Sequence, residues 1–213
     1  MSTASDARFW DRFSRSYAKS RIGDPAGYAR TLQCTRGHLG QDDRVLELGC
    51  GTGTTALRLA SGVRSYLATD ISSGMIAIAE EKLVAGPIAG LAFRIATAEA
   101  LAQEVGQYEA VLGFNYLHLL RDVSGTLRVI HALLAPGGLF ISKTPCLGSM
   151  NPLIRLVLLP VMRAVGKAPQ VVSTFSTVEL EQLITVAGFD IFITENHATR
   201  GKDDRPYIVA CKQ

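Results

Sequence analysis

From Arg44 onward, short apolar runs alternate with segments whose apolar residues recur at helical spacing. The runs RVLELG (44–49), SYLATD (65–70), LAFRIATAEA (91–100, in part), YEAVLGFNYLHLL (108–120, in part) and LFISKTP (139–145) predict five strands. Between them, TTALRLASG (54–62) and SSGMIAIAEEKLVA (72–85) predict helices. SGTLRVIHALLAPGG (124–138) predicts a third, stopped by Pro136-Gly137-Gly138. Ser176 and Glu179 have capping-box spacing before a helix through Ala187, and Gly188 sits where a helix C-terminus wants glycine. FDIFITEN (189–196) and RPYIVACK (205–212) predict two last strands; with no helix between them, they must lie antiparallel.

The alternation predicts an α/β three-layer sandwich: one seven-stranded, mostly parallel sheet with one antiparallel strand, in a single domain over 1–213. Two segments stand outside it. Residues 1–40 read as an N-terminal helical cap, and residues 146–175 as an apolar helical insertion. Between Pro152 and Val165 the insertion is apolar on nearly every side, with a kink expected at Pro160. Three roles fit it: a lid over the active site, a homodimer contact, or a peripheral anchor in a membrane surface. Each favours an apolar pocket wall.

Composition narrows the partners. Apolar residues make up 47% and charged ones 19%, which suits a packed globule rather than a disordered chain. The net charge of +3 falls short of a nucleic-acid footprint, so no nucleic-acid partner is expected. The N-terminus lacks the apolar core of a signal peptide, and no run approaches the roughly 20 residues that span a bilayer. Cys34, Cys50, Cys146 and Cys211 are scattered, so reduced thiols, a cytoplasmic location and no metal site are expected.

The chemistry concentrates in Glu47-Leu48-Gly49-Cys50-Gly51-Thr52-Gly53, a strand end running into a glycine turn before a helix. Such a turn cradles nucleotides. A dinucleotide fingerprint needs glycine where Thr54 stands, and a phosphate loop needs a lysine that "GTGTTA" lacks. Glu47 opposes a phosphate and favours a cationic ligand. Asp70, about 20 residues on, is placed to accept from ribose hydroxyls.

These residues resemble motif I and the ribose-binding acid of the class I S-adenosylmethionine-dependent methyltransferases, small-molecule bacterial members in particular. "APGGLFISKT" (135–144) and "NYLHLL" (115–120) resemble that family's segments around its fourth and fifth strands. The resemblance implies a Rossmann-like fold and methyl transfer from S-adenosylmethionine to a small, partly hydrophobic acceptor, leaving S-adenosylhomocysteine. It implies that Gly49, Cys50, Gly51 and Gly53 line the methionine part, that Asp70 holds the ribose, and that Ile71 and Met75 flank the adenine. Thr97, Ala98 and Glu99 fall where relatives meet the adenine amino group, although Thr97 replaces the common Asp. Asn115 would lie under the sulfonium, and Tyr17 would close over the methionine carboxylate. General-base help is needed only if the acceptor must lose a proton; His118 is the first candidate, then Tyr17 and Tyr116. The acceptor atom stays open among O, N, S and C. A non-catalytic binder of S-adenosylmethionine and, less favoured by Thr54 and Glu47, an NAD-dependent oxidoreductase are the competing readings.

Overall fold

Seven strands form one sheet in the computed structural model, which describes residues 3–104, 106–149, 172–199 and 204–213. They are β1 (Arg44–Leu48), β2 (Ser65–Asp70), β3 (Leu91–Ile95), β4 (Tyr108–Phe114), β5 (Leu134–Lys143), β6 (Phe189–Glu195) and β7 (Tyr207–Lys212). Their order is β3-β2-β1-β4-β5-β7-β6, with β7 antiparallel to both neighbours and every other pairing parallel. The expected class is therefore the observed one. The chain runs outward from β1 to β3, then returns to place β4 on the other side of β1. That reversal opens a crevice at the carboxyl ends of β1 and β4, where open α/β sheets bind ligands.

Helices cover both faces: α1 (Thr3–Ala18), α2 (Pro25–His38), α3 (Ala56–Leu59), α4 (Ser73–Ala85), α5 (Ala98–Leu101), α6 (Val123–Leu133) and α7 (Thr177–Val186). The sheet's alternation divides the core between them. Leu46, Leu48, Val111, Phe140 and Ile208 pack with Leu127, Ile130 and Ile184 on one face. Val45, Ala68, Leu112, Ile141 and Val209 pack with Leu32, Leu59 and Ile76 on the other. Fully burying one such Leu, Ile or Val contributes about 1.5–3 kcal/mol. Glu47 shares the Val45 face by the same period of two, which is how a carboxylate enters the core.

Two boundaries differ from the sequence reading. The helix expected over 54–62 is one α-turn, α3, followed by a tighter turn through Gly62. The helix beginning near 124 ends at Leu133, and Pro136-Gly137-Gly138 lie inside the irregular start of β5. There Tyr108 pairs with Leu134 and the next pair is Ala110 with Leu139, so the β5 side carries extra residues. Gly137 at φ 72° lets it bulge. The Ser176–Glu179 capping box forms as expected on α7.

No helix among the described residues is long and apolar enough to cross a membrane. The segment 152–165, read as lid, dimer contact or membrane anchor, lies outside the described residues.

Candidate active site

At the carboxyl end of β1 the chain turns through Gly49, Gly51 and Gly53 at φ 68°, 53° and 72°, left-handed values that glycine adopts without steric cost. A Cβ on Gly49 would stand 2.7 Å from Tyr116 Cδ2, and one on Gly53 would stand 2.6 Å from Phe93 Cζ. At Gly51 the nearest atom would be Tyr17 Cε1, at 3.6 Å. The outer glycines are required by packing, while at the middle one a side chain would meet only ordinary contact with Tyr17. Lys82 on α4 fastens the turn by donating from Nζ to Thr52 O and Oγ1 at 2.7 and 2.9 Å. Cys50 is buried, and burial raises its thiol pKa, so it stays an unreactive thiol.

Two carboxylates flank the turn. Asp70 Oδ2 accepts from Gly51 N–H at 3.0 Å, and its Oδ1 accepts from Ser72 N–H at 2.9 Å. Burial raises the Asp70 pKa against the pull of these N–H groups. Glu47 is 2% exposed and accepts from Tyr66 Oη at 2.7 Å. Burial pushes its carboxyl up to about 8, the Tyr66 bond opposing and the Asp70 charge adding. A buried acid balanced near neutrality gains most from a cation brought beside it. Glu47 and Asp70 thus suit a cationic, ribose-bearing ligand and oppose a triphosphate. The chain's residues fit S-adenosylmethionine on this ground.

Helix α1 crosses the mouth of this corner. Asp11 Oδ1 accepts from Ser72 Oγ, Ser73 Oγ and Gly74 N–H at 2.7, 3.3 and 2.9 Å, on the first turn of α4. These bonds hold the Asp11 carboxyl below its usual range. At its other end Asp6 accepts from Arg121 Nη2 at 2.8–2.9 Å, beyond β4. The helix therefore bridges both sides of the crevice. Tyr17 is half exposed, yet desolvation and the nearby Asp70 raise its phenol pKa.

The remaining expected residues are dispersed. Ser72, not Asp70, caps α4 by accepting from Met75 N–H at 3.1 Å, and Met75 is buried beside the half-buried Ile71. Thr97 caps α5 by accepting from Ala100 N–H, and Ala98 is fully buried. Glu99 accepts from Thr126 Oγ1 at 3.2 Å, so its carboxylate is already turned toward α6. Asp11 and Lys82 escaped the sequence reading, since neither belongs to a recognisable local pattern.

Past β4, Asn115 is the one non-glycine with positive φ (51°) among the described residues, and its N–H donates to Lys143 O at 2.8 Å. Such backbone strain clusters at functional sites. Tyr116 lies against Gly49, and burial raises its phenol pKa, with Glu99 and Asp70 adding to the shift. His118 Nδ1 is buried without a hydrogen-bond partner among the described residues. Burial lowers its pKa to about 4, so the imidazole is neutral. Ser173 N–H donates to His118 O at 2.7 Å, and Gly148 N–H to Phe175 O at 2.9 Å. Ser173 thus meets His118, and the described ends of the 146–175 stretch meet each other at Gly148 and Phe175.

Residues 45–138 match the family model described as a methyltransferase domain. Among curated proteins, the chain is 34% identical over 101 residues to the ubiquinone biosynthesis O-methyltransferase of Methylocella silvestris. That match covers 47% of this chain and 39% of the relative. It is 29% identical over 138 residues to the highly reducing polyketide synthase lcsB of Purpureocillium lilacinum, covering 59% of this chain and 5% of the synthase. The chain thus spans well under half the length of either relative. Among solved structures, magnesium protoporphyrin IX methyltransferase (ChlM) from Synechocystis PCC 6803 with bound SAM superposes with a TM-score of 0.69. The match is 17% identical and covers 99% of this chain and 97% of that one. This likeness establishes the Rossmann-like methyltransferase fold.

Proposed function

We propose that this chain, with the methyltransferase fold and a methyltransferase-domain match over residues 45–138, moves a methyl group from S-adenosylmethionine to a small, partly hydrophobic acceptor. One observation carries the reading: the Gly51 turn fixed by Asp70, beside buried Glu47 and beneath Tyr17. When bound, S-adenosylmethionine supplies an activated methyl on a positive sulfur. The protein's part is to bind, orient and exclude water.

Gly49, Cys50, Gly51 and Gly53 let backbone approach the methionine end, with Glu47 answering its positive charge. Asp70 accepts from the ribose, and Ile71 and Met75 flank the adenine. Ala98 and Glu99, and Thr97 through its cap, position the purine edge. Asn115 sets the floor at the reacting end. Tyr17 and Tyr116 keep their phenol protons, since their pKa values are raised; they serve as walls and donors rather than bases. His118 is neutral but weakly basic, which favours an acceptor that arrives already nucleophilic, such as a thiol or neutral amine. Helix α1, held to both sides of the crevice by Asp11 and Asp6, covers the site. The scattered free cysteines agree with a cytoplasmic protein.

The test is calorimetric titration with S-adenosylhomocysteine and with NADH, followed by labelled methyl transfer across thiol, amine, phenol and carbon-acid acceptors. Binding of S-adenosylhomocysteine alone, with turnover on at least one acceptor, is expected. Binding without any turnover favours the non-catalytic reading, and NADH binding removes the proposal.

A further inference from the structure

A second cluster lies where α2 meets the end of β6, built from none of the residues above. Cys34 Sγ, a Glu195 carboxylate oxygen and a His197 ring nitrogen lie within 4.8 Å of one another. Their burial is graded: His197 is 1% exposed, Cys34 half-buried and Glu195 exposed. Sequence spacing hides the group, because Cys34 comes from α2 and its two companions from a segment about 160 residues away.

The hydrogen bonds around His197 define its open face. Thr31 Oγ1 donates to Gly27 O at 3.0 Å, and it lies 2.9 Å from His197 Nδ1. Lys143 Nζ also donates to Thr31 Oγ1, at 3.4 Å. A carboxylate only accepts, so in the metal-free protein Nε2–H donates to Glu195 at 2.9 Å. A hydroxyl has one proton, so if a cation takes the Nε2 lone pair, Nδ1–H can donate to Thr31 Oγ1 while the hydroxyl proton stays on Gly27 O. The imidazole, the carboxylate and the thiol sulfur converge on one region, and a cation would replace the Nε2 proton between the first two. An imidazole oriented through its other nitrogen is the usual support of a metal-ligating His. Stacking on Tyr207, at 4.4 Å between centroids, holds the ring plane further.

We propose that Cys34, Glu195 and His197 bind a divalent cation of zinc type. A thiolate, an imidazole and a carboxylate form a borderline-soft set that suits Zn²⁺ better than Mg²⁺ or Ca²⁺. Tetrahedral zinc sets its ligand atoms about 3.3–3.6 Å apart. The three atoms, within 4.8 Å of one another, would close to that spacing around the ion. Arg30, Gln33 and Asn196 join Cys34 and Glu195 in lining an open depression of about 660 Å³. A fourth ligand position opens toward it. The ion would tie α2 to the β6–β7 connection, which Asp24 already joins by accepting from Thr199 N–H and Oγ1 at 2.9 Å.

Titration of chelator-treated, full-length protein with Co²⁺ tests the site without reference to methyl transfer. One equivalent is expected to produce a thiolate-to-cobalt charge-transfer band, and Zn²⁺ is expected to displace it and raise Tm. Cys34→Ser should abolish the band, and Glu195→Gln should weaken Co²⁺ binding. Both side chains reach solvent, so these variants stay folded, as circular dichroism will verify. Thr31→Val should cost about 10- to 100-fold in affinity. Absence of the band in the unmutated protein overturns the proposal in favour of a plain His197 Nε2–H to Glu195 hydrogen bond. A band that persists in Cys34→Ser overturns it too, by assigning the metal to another thiol.

Discussion

The two sides of the crevice are built in different ways. On the β1–β2 side every polar group is tied down: Asp70 to Gly51 and Ser72, Glu47 to Tyr66, Lys82 to Thr52, and Asp11 to the start of α4. On the β4 side Asn115 is held in a left-handed conformation and the buried His118 Nδ1 has no partner among the described residues. A side prepared for one fixed ligand can be over-determined by its own hydrogen bonds. A side that meets a variable acceptor can keep a strained residue and an unsatisfied group.

Breaking the tied side should have the largest effects. Gly53→Ala places a methyl against Phe93 and Ala79 in a left-handed backbone. Strain and overlap together should cost about 2–5 kcal/mol of stability, read as a lowered Tm and lost S-adenosylhomocysteine binding. Asp70→Asn keeps the shape but removes the charge from two backbone hydrogen bonds and from the ribose. S-adenosylhomocysteine affinity should fall about 10- to 100-fold by calorimetry; an unchanged affinity would remove Asp70 from the cofactor site.

The same contrast explains what was legible in the chain. The turn, its acids and the succession of strands and helices follow from contiguous patterns, because strand period and glycine spacing are local properties. Asp11 and Lys82 are ordinary helix residues by pattern; only the packing of α1 on α4 and of α4 behind the turn brings them to the site. Pro136-Gly137-Gly138 looked like a helix stop because the same residues also suit a bulge. Thr97 caps α5 and Glu99 accepts from Thr126, two contacts that local spacing does not reveal. The β4 side is least legible, since the left-handed turn at Asn115 and the burial of His118 Nδ1 depend on packing rather than on local spacing.

Glu47 sharpens the comparison through pH. The folded, ligand-free protein keeps this carboxyl protonated up to about pH 8, while its ordinary value is 4.5. A raised folded pKa contributes stability that is fully present below about 4.5 and lost as pH climbs through about 8. Ligand-free stability should therefore fall across that window, by up to a few kcal/mol in total. Glu47→Gln, which keeps an acceptor for Tyr66, should flatten the curve and gain relative stability at pH 8. A denaturant midpoint series from pH 5 to 8 reads both. Equal slopes in the two proteins would show that Glu47 ionises normally in the fold.

The smallest effect is expected at His118, and it separates an acceptor side that does proton chemistry from one that only shapes a pocket. Burial lowers the His118 pKa to about 4, so its charge does not change between pH 5.5 and 8. A side chain that weakly basic has little driving force to take a proton from a phenol or carbon acid. With an acceptor drawn from the thiol and amine panel, His118→Gln should lower kcat less than tenfold. The native profile should show no inflection near the ordinary histidine value. A general base instead contributes about 10²- to 10⁴-fold, so a loss of that size would overturn the assignment. It would also mean that the acceptor must shed a proton in the rate-limiting step, and that the unpartnered Nδ1 is the atom that takes it.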